Sequence, residues 1–214
     1  MSDIFREVDE EVRHERLKKL WKAYGGYVVG LAAAVVLGVA VNVGWGEYRR
    51  SRTEHEGQAF TAAARLVAAN KPAEAAKRFA SLAEDADTGY RSLARLRQAE
   101  ALFAAGSIDE AVRVLDALAA DDGAEDDLRG LAALAAAYYQ ADRAPAEEVD
   151  RRLEPLVAAS SPWRLPALEL RGALAYKGGK TARAKKSFTA ITEDGAATPA
   201  QRDRAAAFLA VLGG

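Results

Sequence analysis

The chain has 214 residues, with 30 lysine and arginine residues against 31 aspartate and glutamate residues, and its formal net charge is −1. This balance leaves no electrostatic footprint for nucleic acid. Cysteine is absent, which excludes disulfides, thiol catalysis and cysteine-ligated metals, and the only histidines are His14 and His55. A histidine-based catalytic triad or a multi-histidine metal site is therefore out of reach beyond residue 55.

Residues 1–22 form a charged leading segment with helical periodicity. Its acidic residues come early and its lysines come late, as the helix dipole favours. Its apolar side chains recur at helical spacing; they are Ile4, Phe5, Val8, Val12, Leu17, Leu20 and Trp21. We predict a short amphipathic helix near a membrane surface. The alternatives are a docking helix for a cytosolic partner and a polar lead-in that is only partly helical.

Residues 23–46, AYGGYVVGLAAAVVLGVAVNVGWG, contain no charged side chain. A helix of this length rises ~36 Å, which exceeds the ~30 Å hydrocarbon core of a bilayer. Aromatic residues flank it on both sides, as in interfacial belts; they are Trp21, Tyr24, Tyr27, Trp45 and Tyr48. We predict a transmembrane helix. The segment is longer than the apolar region of a cleaved signal peptide, so we interpret it as an uncleaved signal anchor.

Small or polar residues recur at every fourth position of this segment, at Gly26, Gly30, Ala34, Gly38, Asn42 and Gly46. Four residues turn a helix ~400°, so these positions lie along one slowly drifting stripe. Small residues let two helices approach closely in lipid. We predict that the stripe packs on a partner's transmembrane helix, and the alternative is that glycine and alanine are simply common in membrane helices.

The orientation of the span follows from its basic flanks. Five basic residues lie in the ten positions before Ala23 (Arg13, Arg16, Lys18, Lys19 and Lys22), and three lie in the ten after Gly46 (Arg49, Arg50 and Arg52). Basic residues favour the cytoplasmic side. We therefore predict a cytoplasmic segment at 1–22 and, in a bacterial inner (plasma) membrane, a periplasmic domain at 47–214.

The segment from residue 47 onward is rich in alanine, leucine, arginine and glutamate, and no strand-like alternation interrupts its 3.6-residue period. We predict an all-α domain, with helices near 51–69, 72–86, 89–105, 108–120, 126–141, 146–158, 163–177, 181–193 and 199–212. Ser107 with Glu110 fits a capping box. Ser161-Pro162 and Thr198-Pro199 each place proline at a first helical position after an N-cap.

These helices form pairs that repeat. The second helices share a small residue at Ala75, Ala111 and Ala184, followed by large residues at Phe79, Leu115 and Phe188 and then at Leu82, Leu118 and Ile191. The first helices share small positions at Ala63, Ala99, Ala135 and Gly172. A helix-pair period near 36 predicts an α-solenoid of about four pairs with a C-terminal capping helix.

The turn GSIDEA at 106–111, with Ala99 and Ala111 in the small positions, resembles a tetratricopeptide repeat, whereas the third repeat, 126–158, lacks this turn. Taken whole, the chain resembles the YfgM-type ancillary subunits of the SecYEG translocon. The opening IFREVDEEVR and KLWKAYGGY resemble the α-proteobacterial form of that family. The resemblance implies a single inner-membrane anchor and a periplasmic tetratricopeptide-like domain.

The resemblance also implies that the first helices of the pairs line a concave face that binds peptides. Aromatic residues on or at the start of these helices are candidate contact residues: Tyr90, Tyr138, Tyr139, Trp163 and Tyr176. The alternative for each is a place in the core.

Two charged stretches of the domain carry weaker signals. The acidic residues at 121–127 lack the ligand spacing of a calcium loop and fit a solvated turn. The basic residues at 177–186 fit a solvated helix face, the alternative being a phosphate or membrane-surface site.

We expect an interaction protein rather than an enzyme, with no cofactor. The resemblance implies translocon subunits, a membrane-anchored periplasmic chaperone or prolyl isomerase, and newly exported client proteins as partners. The alternatives are a repeat scaffold for cell-envelope or division complexes and an enzyme. Nothing in the repeats marks catalytic chemistry, since Gly178-Gly179 is a turn between helices rather than a phosphate loop.

Overall fold

The computed structural model describes the backbone of residues 3–213. The side chains at 3–17, 19–20, 23, 25, 28–29, 31–34 and 88 lie outside the description. Helices, one short 3₁₀ segment and turns make up the described backbone, which contains no strand. Contacts divide the chain into two units, one ending at His55 and the other beginning at Glu56.

The described residues of the first unit are all helical and belong to α1, Asp3–Ala68. The predicted leading helix, the predicted span and the predicted helix at 51–69 are thus parts of one helix, which agrees with the absence of proline from this stretch. Among the described residues we find no helix that combines the length and the hydropathy needed to cross a bilayer. The predicted span includes positions 23, 25, 28–29 and 31–34, and the predicted amphipathic face lies mostly at 1–17, all outside the described side chains.

The second unit contains the end of α1 and eight further α-helices, within the described residues. Their bounds are α2 Pro72–Asp85, α3 Thr88–Ala104, α4 Ile108–Ala119, α5 Asp126–Gln140, α6 Ala146–Leu153, α7 Arg164–Lys177, α8 Thr181–Thr192 and α9 Pro199–Val211. Neighbouring helices in the chain pack on one another, from α2 to α9. The all-α array of sequential helix pairs is therefore confirmed.

The repeated small and large residues fill the space between the helices. Ala75, Ala111 and Ala184 are fully buried. The large residues that follow them are also buried, with Phe79, Leu115, Phe188, Leu118 and Ile191 at most 1 % exposed and Leu82 at 6 %. Small side chains let the helices approach closely, and the large ones fill the remaining gaps.

The turns inside three of the four helix pairs share one geometry. Asn70, Gly106 and Gly179 have positive φ angles of 57°, 82° and 69°. At Gly106 the amide donates to the Phe103 carbonyl, and the next amide donates to the Leu102 carbonyl, which is the Schellman pattern that ends a helix with a left-handed residue. These positions are 36 and 73 residues apart, so the turn follows the repeat.

The third pair departs from this pattern. Its turn has no left-handed residue and leads through Pro145 into a short α6. We predicted a helix over 146–158, but α6 ends at Leu153 and a 3₁₀ segment, Glu154–Val157, follows. Pro155 lacks an N–H and cannot continue an α-helix, which explains the change. The small position of α5 is also shifted, since Ala136 is fully buried and Ala135 is only partly buried.

Helix starts gave mixed outcomes. Thr198 caps α9 before Pro199, as predicted, and its hydroxyl accepts the Gln201 amide within a complete capping box. The predicted Ser107–Glu110 capping box was wrong. Ser107 precedes α4, but its side chain makes no capping hydrogen bond, because its backbone, with ψ at 59°, is not extended. Pro162 does not open α7, which begins at Arg164, since the Ser161 hydroxyl accepts the Trp163 amide in a preceding turn.

Ion pairs join equivalent positions of consecutive repeats. Six of them place the acid in one repeat and the base 33–36 residues later: Asp109–Arg143, Asp116–Arg152, Asp142–Lys177, Glu147–Lys180, Asp150–Arg183 and Glu169–Arg204. Exposed pairs stabilise little individually. Their common spacing and polarity nevertheless match the register in which the repeats stack.

Candidate protein-interaction surface

The five aromatic residues predicted as contacts have different environments. Tyr90 packs against the first core cluster, where its ring centroid lies 6.1 Å from that of Phe60. Tyr139 is half-buried and stacks on Phe103 of α3, with ring centroids 4.0 Å apart and planes 16° apart. Partial burial raises the pKa of the Tyr139 phenol, and the nearby Glu100 carboxylate adds to this rise. Both rings join α-helices of consecutive pairs.

Trp163 connects the third and fourth pairs. Its indole N–H donates to the Asp127 carbonyl at 3.1 Å, and its ring lies over Gly130 of α5. A β-carbon at position 130 would lie 2.3 Å from the ring Cδ1, so glycine is what admits the indole. Much of this ring is used in packing within the chain.

Tyr138 and Tyr176 are the two predicted residues with widely open rings, at 45 % and 44 % exposure. Tyr138 lies in the last turn of α5, and partial burial raises the pKa of its phenol, to which the negative charge of Glu169 on α7 contributes. Tyr176 lies in the last turn of α7, and its ring centroid lies 6.0 Å from that of Phe208 on α9 in an edge-on arrangement. Both side chains present amphipathic rings to solvent.

An open groove lies beside Tyr176, between α7 and α9. Its lining residues are Tyr176, Arg204, Ala207, Phe208 and Val211, which enclose a volume of about 270 Å³. The Arg204 guanidinium makes two hydrogen bonds to the Glu169 carboxylate, at 2.7 and 2.9 Å, and this contact raises the pKa of Arg204. The remaining lining is apolar or aromatic.

Sequence reasoning missed three residues of this groove, Arg204, Phe208 and Val211. It also missed Phe103, which is 42 % exposed and stacks on Tyr139. One signal was present. The run AAAFLAV at 205–211 is apolar around the whole helix, which indicates more apolar surface than packing on one side can bury. Of α9 only Ala205 is buried, while Val211 is 70 % exposed.

The predicted stripe in the first unit lies on exposed positions where its members are described. Gly26, Gly30, Gly38 and Asn42 are exposed, and a β-carbon at any of the three glycines would meet nothing within 4 Å. Ala34 lies outside the described side chains. The role of the whole stripe in helix packing stays a prediction.

The charged stretches serve the fold. The Asp121 carboxylate accepts hydrogen bonds from the Arg95 guanidinium at 2.6 Å and from the Gly123 amide at 3.0 Å, and both lower the pKa of its carboxyl. Lys177, Lys180 and Arg183 of the basic stretch are exposed, as predicted for a solvated face, and they also make ion pairs to the preceding repeat. Across the described residues, no three histidine, aspartate or glutamate side chains are arranged to hold a metal ion.

A helix-pair array with open aromatic rings on its first helices defines a class of repeat protein whose members bind other proteins. A model of the tetratricopeptide repeat-like domain family matches residues 18–205, and the chain belongs to that family. No curated protein matches the chain. The domain is thus a tetratricopeptide-like protein-interaction module, a type that is typically non-catalytic.

Proposed function

We propose that the protein is an inner-membrane-anchored interaction module with a cytoplasmic N-terminus and a periplasmic repeat domain. The uncharged sequence at 23–46 supports the anchor. So do its described apolar side chains, since Val36, Val41 and Trp45 are 58–70 % exposed. Such exposed apolar surface is costly in water and stable in lipid.

We further propose that the module is accessory to the SecYEG translocon and cooperates with a membrane-anchored periplasmic chaperone or prolyl isomerase on newly exported proteins. The order of the chain, a charged lead, an anchor and then repeats, supports this resemblance. The observation that carries it is the open aromatic face of the repeat domain, with Tyr138 and Tyr176 exposed beside the α7–α9 groove.

Topology is tested with fusions at the C-terminus. Alkaline phosphatase folds only outside the cytoplasm, so the phosphatase fusion is expected to be active. Green fluorescent protein exported through the same route is expected to stay dark. An inactive phosphatase fusion together with a fluorescent protein fusion would reverse the proposed orientation.

The partner is tested by copurification from gently solubilised membranes, with quantitative mass spectrometry. Enrichment of translocon subunits and a periplasmic chaperone or prolyl isomerase is the expected result. Enrichment of division or envelope proteins would instead support a scaffold for those complexes. A catalytic activity without any enriched partner would favour the enzyme class.

A further inference from the structure

The α7–α9 groove combines a fixed floor with an open mouth. The floor is Phe208, whose ring stacks on fully buried Phe188 with centroids 4.5 Å apart and planes 2° apart. The mouth is bordered by Tyr176 and Val211, which are 44 % and 70 % exposed. Phe188 supports the Phe208 ring from below and Tyr176 supports it from the side. The groove is therefore formed before any ligand binds.

The size of the groove indicates what it can hold. Its volume of about 270 Å³ is slightly below the ~300–1,000 Å³ of small-molecule sites. It lies open along the helix rather than closing into a cavity, with small residues such as Ala207 in its wall. Such a groove fits one or two large side chains that project from a longer chain.

The charge of the groove selects among such chains. Arg204 is the charged residue of the lining, and its guanidinium is bound in bidentate fashion by Glu169. Glu169 binds the Nε–Nη2 edge of Arg204 and neutralises its charge, so a peptide carboxylate at the remaining N–H groups would meet a neutral pair and not a free cation. An acidic side chain or a free C-terminal carboxylate is therefore disfavoured, and an uncharged apolar segment matches the lining.

We propose that the α7–α9 groove binds large apolar side chains from an uncharged, unfolded segment of a polypeptide partner. This deepens the proposed interaction function, on which it rests. Tyr138 and Tyr176 supply contact area beside the groove with little loss of side-chain entropy. Glu169 acts as a positioning residue, because its two hydrogen bonds fix Arg204 and neutralise the charge that an incoming carboxylate would otherwise meet.

The test measures fluorescence anisotropy of labelled decapeptides against the full chain in phospholipid nanodiscs, with empty nanodiscs as the blank. The first peptide alternates leucine and serine and has blocked ends. The second has the same sequence and a free C-terminal carboxylate. We expect saturable binding of the blocked peptide and at least threefold weaker binding of the second peptide.

Two variants on adjacent residues of α9 provide a matched comparison. Val211→Asp places a carboxylate in the groove and is expected to weaken binding of the blocked peptide at least tenfold. Ala210→Asp adds the same charge at an exposed position outside the lining and is expected to change binding less than twofold. Glu169→Gln is expected to free Arg204 and to reverse the preference toward the second peptide. Circular dichroism checks that each variant remains folded.

The proposal is overturned if Val211→Asp and Ala210→Asp behave alike, if the wild-type chain prefers the free carboxylate, or if neither peptide binds. It is also overturned if sedimentation shows a dimer that Val211→Asp dissociates, because a second copy would then occupy the groove. Copurification from membranes of the Val211→Asp strain separates the two claims. If the variant keeps its translocon and chaperone partners but loses peptide binding, the proposed function and the proposed groove are both supported. If it keeps its partners and peptide binding is unchanged, only the proposed groove is rejected.

Discussion

The ring of Phe188 on α8 lies directly against the backbone of Gly172 on α7. A β-carbon at position 172 would lie 2.8 Å from the ring Cζ and 3.0 Å from both Cε atoms. Phe188 is fully buried and stacks on Phe208, so it cannot move away easily. One missing methyl group therefore sets how closely the helices of the fourth pair approach.

Gly172→Ala is expected to destabilise the domain by about 1–3 kcal/mol, the range for inserting atoms into a packed core. This loss opposes the gain of up to about 1 kcal/mol from the better helix propensity of alanine. Chemical denaturation measures the difference. Gly89→Ala, at a helical glycine with nothing within 4 Å, is the control and should cost nothing. Equal effects of the two variants would contradict the proposed contact.

Residues 47–214 expressed alone are expected to fold as a monomeric all-α unit, because the repeats bury their own core. Ala111→Asp in this fragment should lower stability by more than about 3 kcal/mol, since it buries an unpaired charge at a position with no solvent exposure. Ala117→Asp places the same residue on the exposed face of α4. Thermal melts of the two variants should differ widely, and similar melts would show that the repeat phase is wrong.

Asp121 is expected to make stability depend on pH on the acidic side. Its folded pKa is lowered, first by the hydrogen bond from Arg95 and then by the Gly123 amide. The unfolded carboxyl has a pKa of about 3.9 and binds its proton first as pH falls. The contribution of the Asp121 carboxylate to folding stability is therefore complete above the unfolded pKa and is lost as pH falls towards the folded pKa. Carboxyl NMR titration should show the depressed pKa, and Arg95→Gln should raise it. An Asp121 pKa that does not change in the Arg95→Gln variant would show that Arg95 is not the cause of the depressed pKa.

Replacement of Gly30 and Gly38 by leucine tests the stripe of small residues in the first unit. Leucine is more apolar than glycine, so membrane insertion should persist. The larger side chains should prevent close helix approach and weaken copurification of the partner, while the repeat domain stays folded. Val35 and Val39 to leucine is the control at exposed positions off the stripe. Unchanged partner yield in the glycine variant would place the interaction in the repeats.

Most helix limits followed from the sequence because their signals are local. Apolar periodicity, proline, and glycine at helix ends act within a few residues of each boundary. The sequence also determined which alanines and large residues are buried in the second helices, since the same local pattern recurs at a constant period. Where Pro155 broke α6 and the turn signature was lost, the prediction of that helix failed.

The sequence could not distinguish the packed aromatic rings from the open ones. Tyr138 and Tyr139 are neighbours on one helix, yet Phe103 of the preceding pair covers Tyr139 and leaves Tyr138 open. Trp163 is held by a carbonyl and a glycine about one repeat earlier. Exposure of such a ring depends on residues 33–36 positions away, which a helical period within one segment does not encode.

The sequence by itself determined the all-α repeat array, the phase of its second helices at Ala75, Ala111 and Ala184, and the uncharged segment at 23–46, because periodicity and composition are properties of the chain alone. Only the tertiary structure decided how Arg204 is neutralised by Glu169 and how Tyr176, Phe208 and Val211 form a groove. The physical reason is that α9 is apolar on several faces, and only the packing of α7 and α8 against it fixes which face remains open.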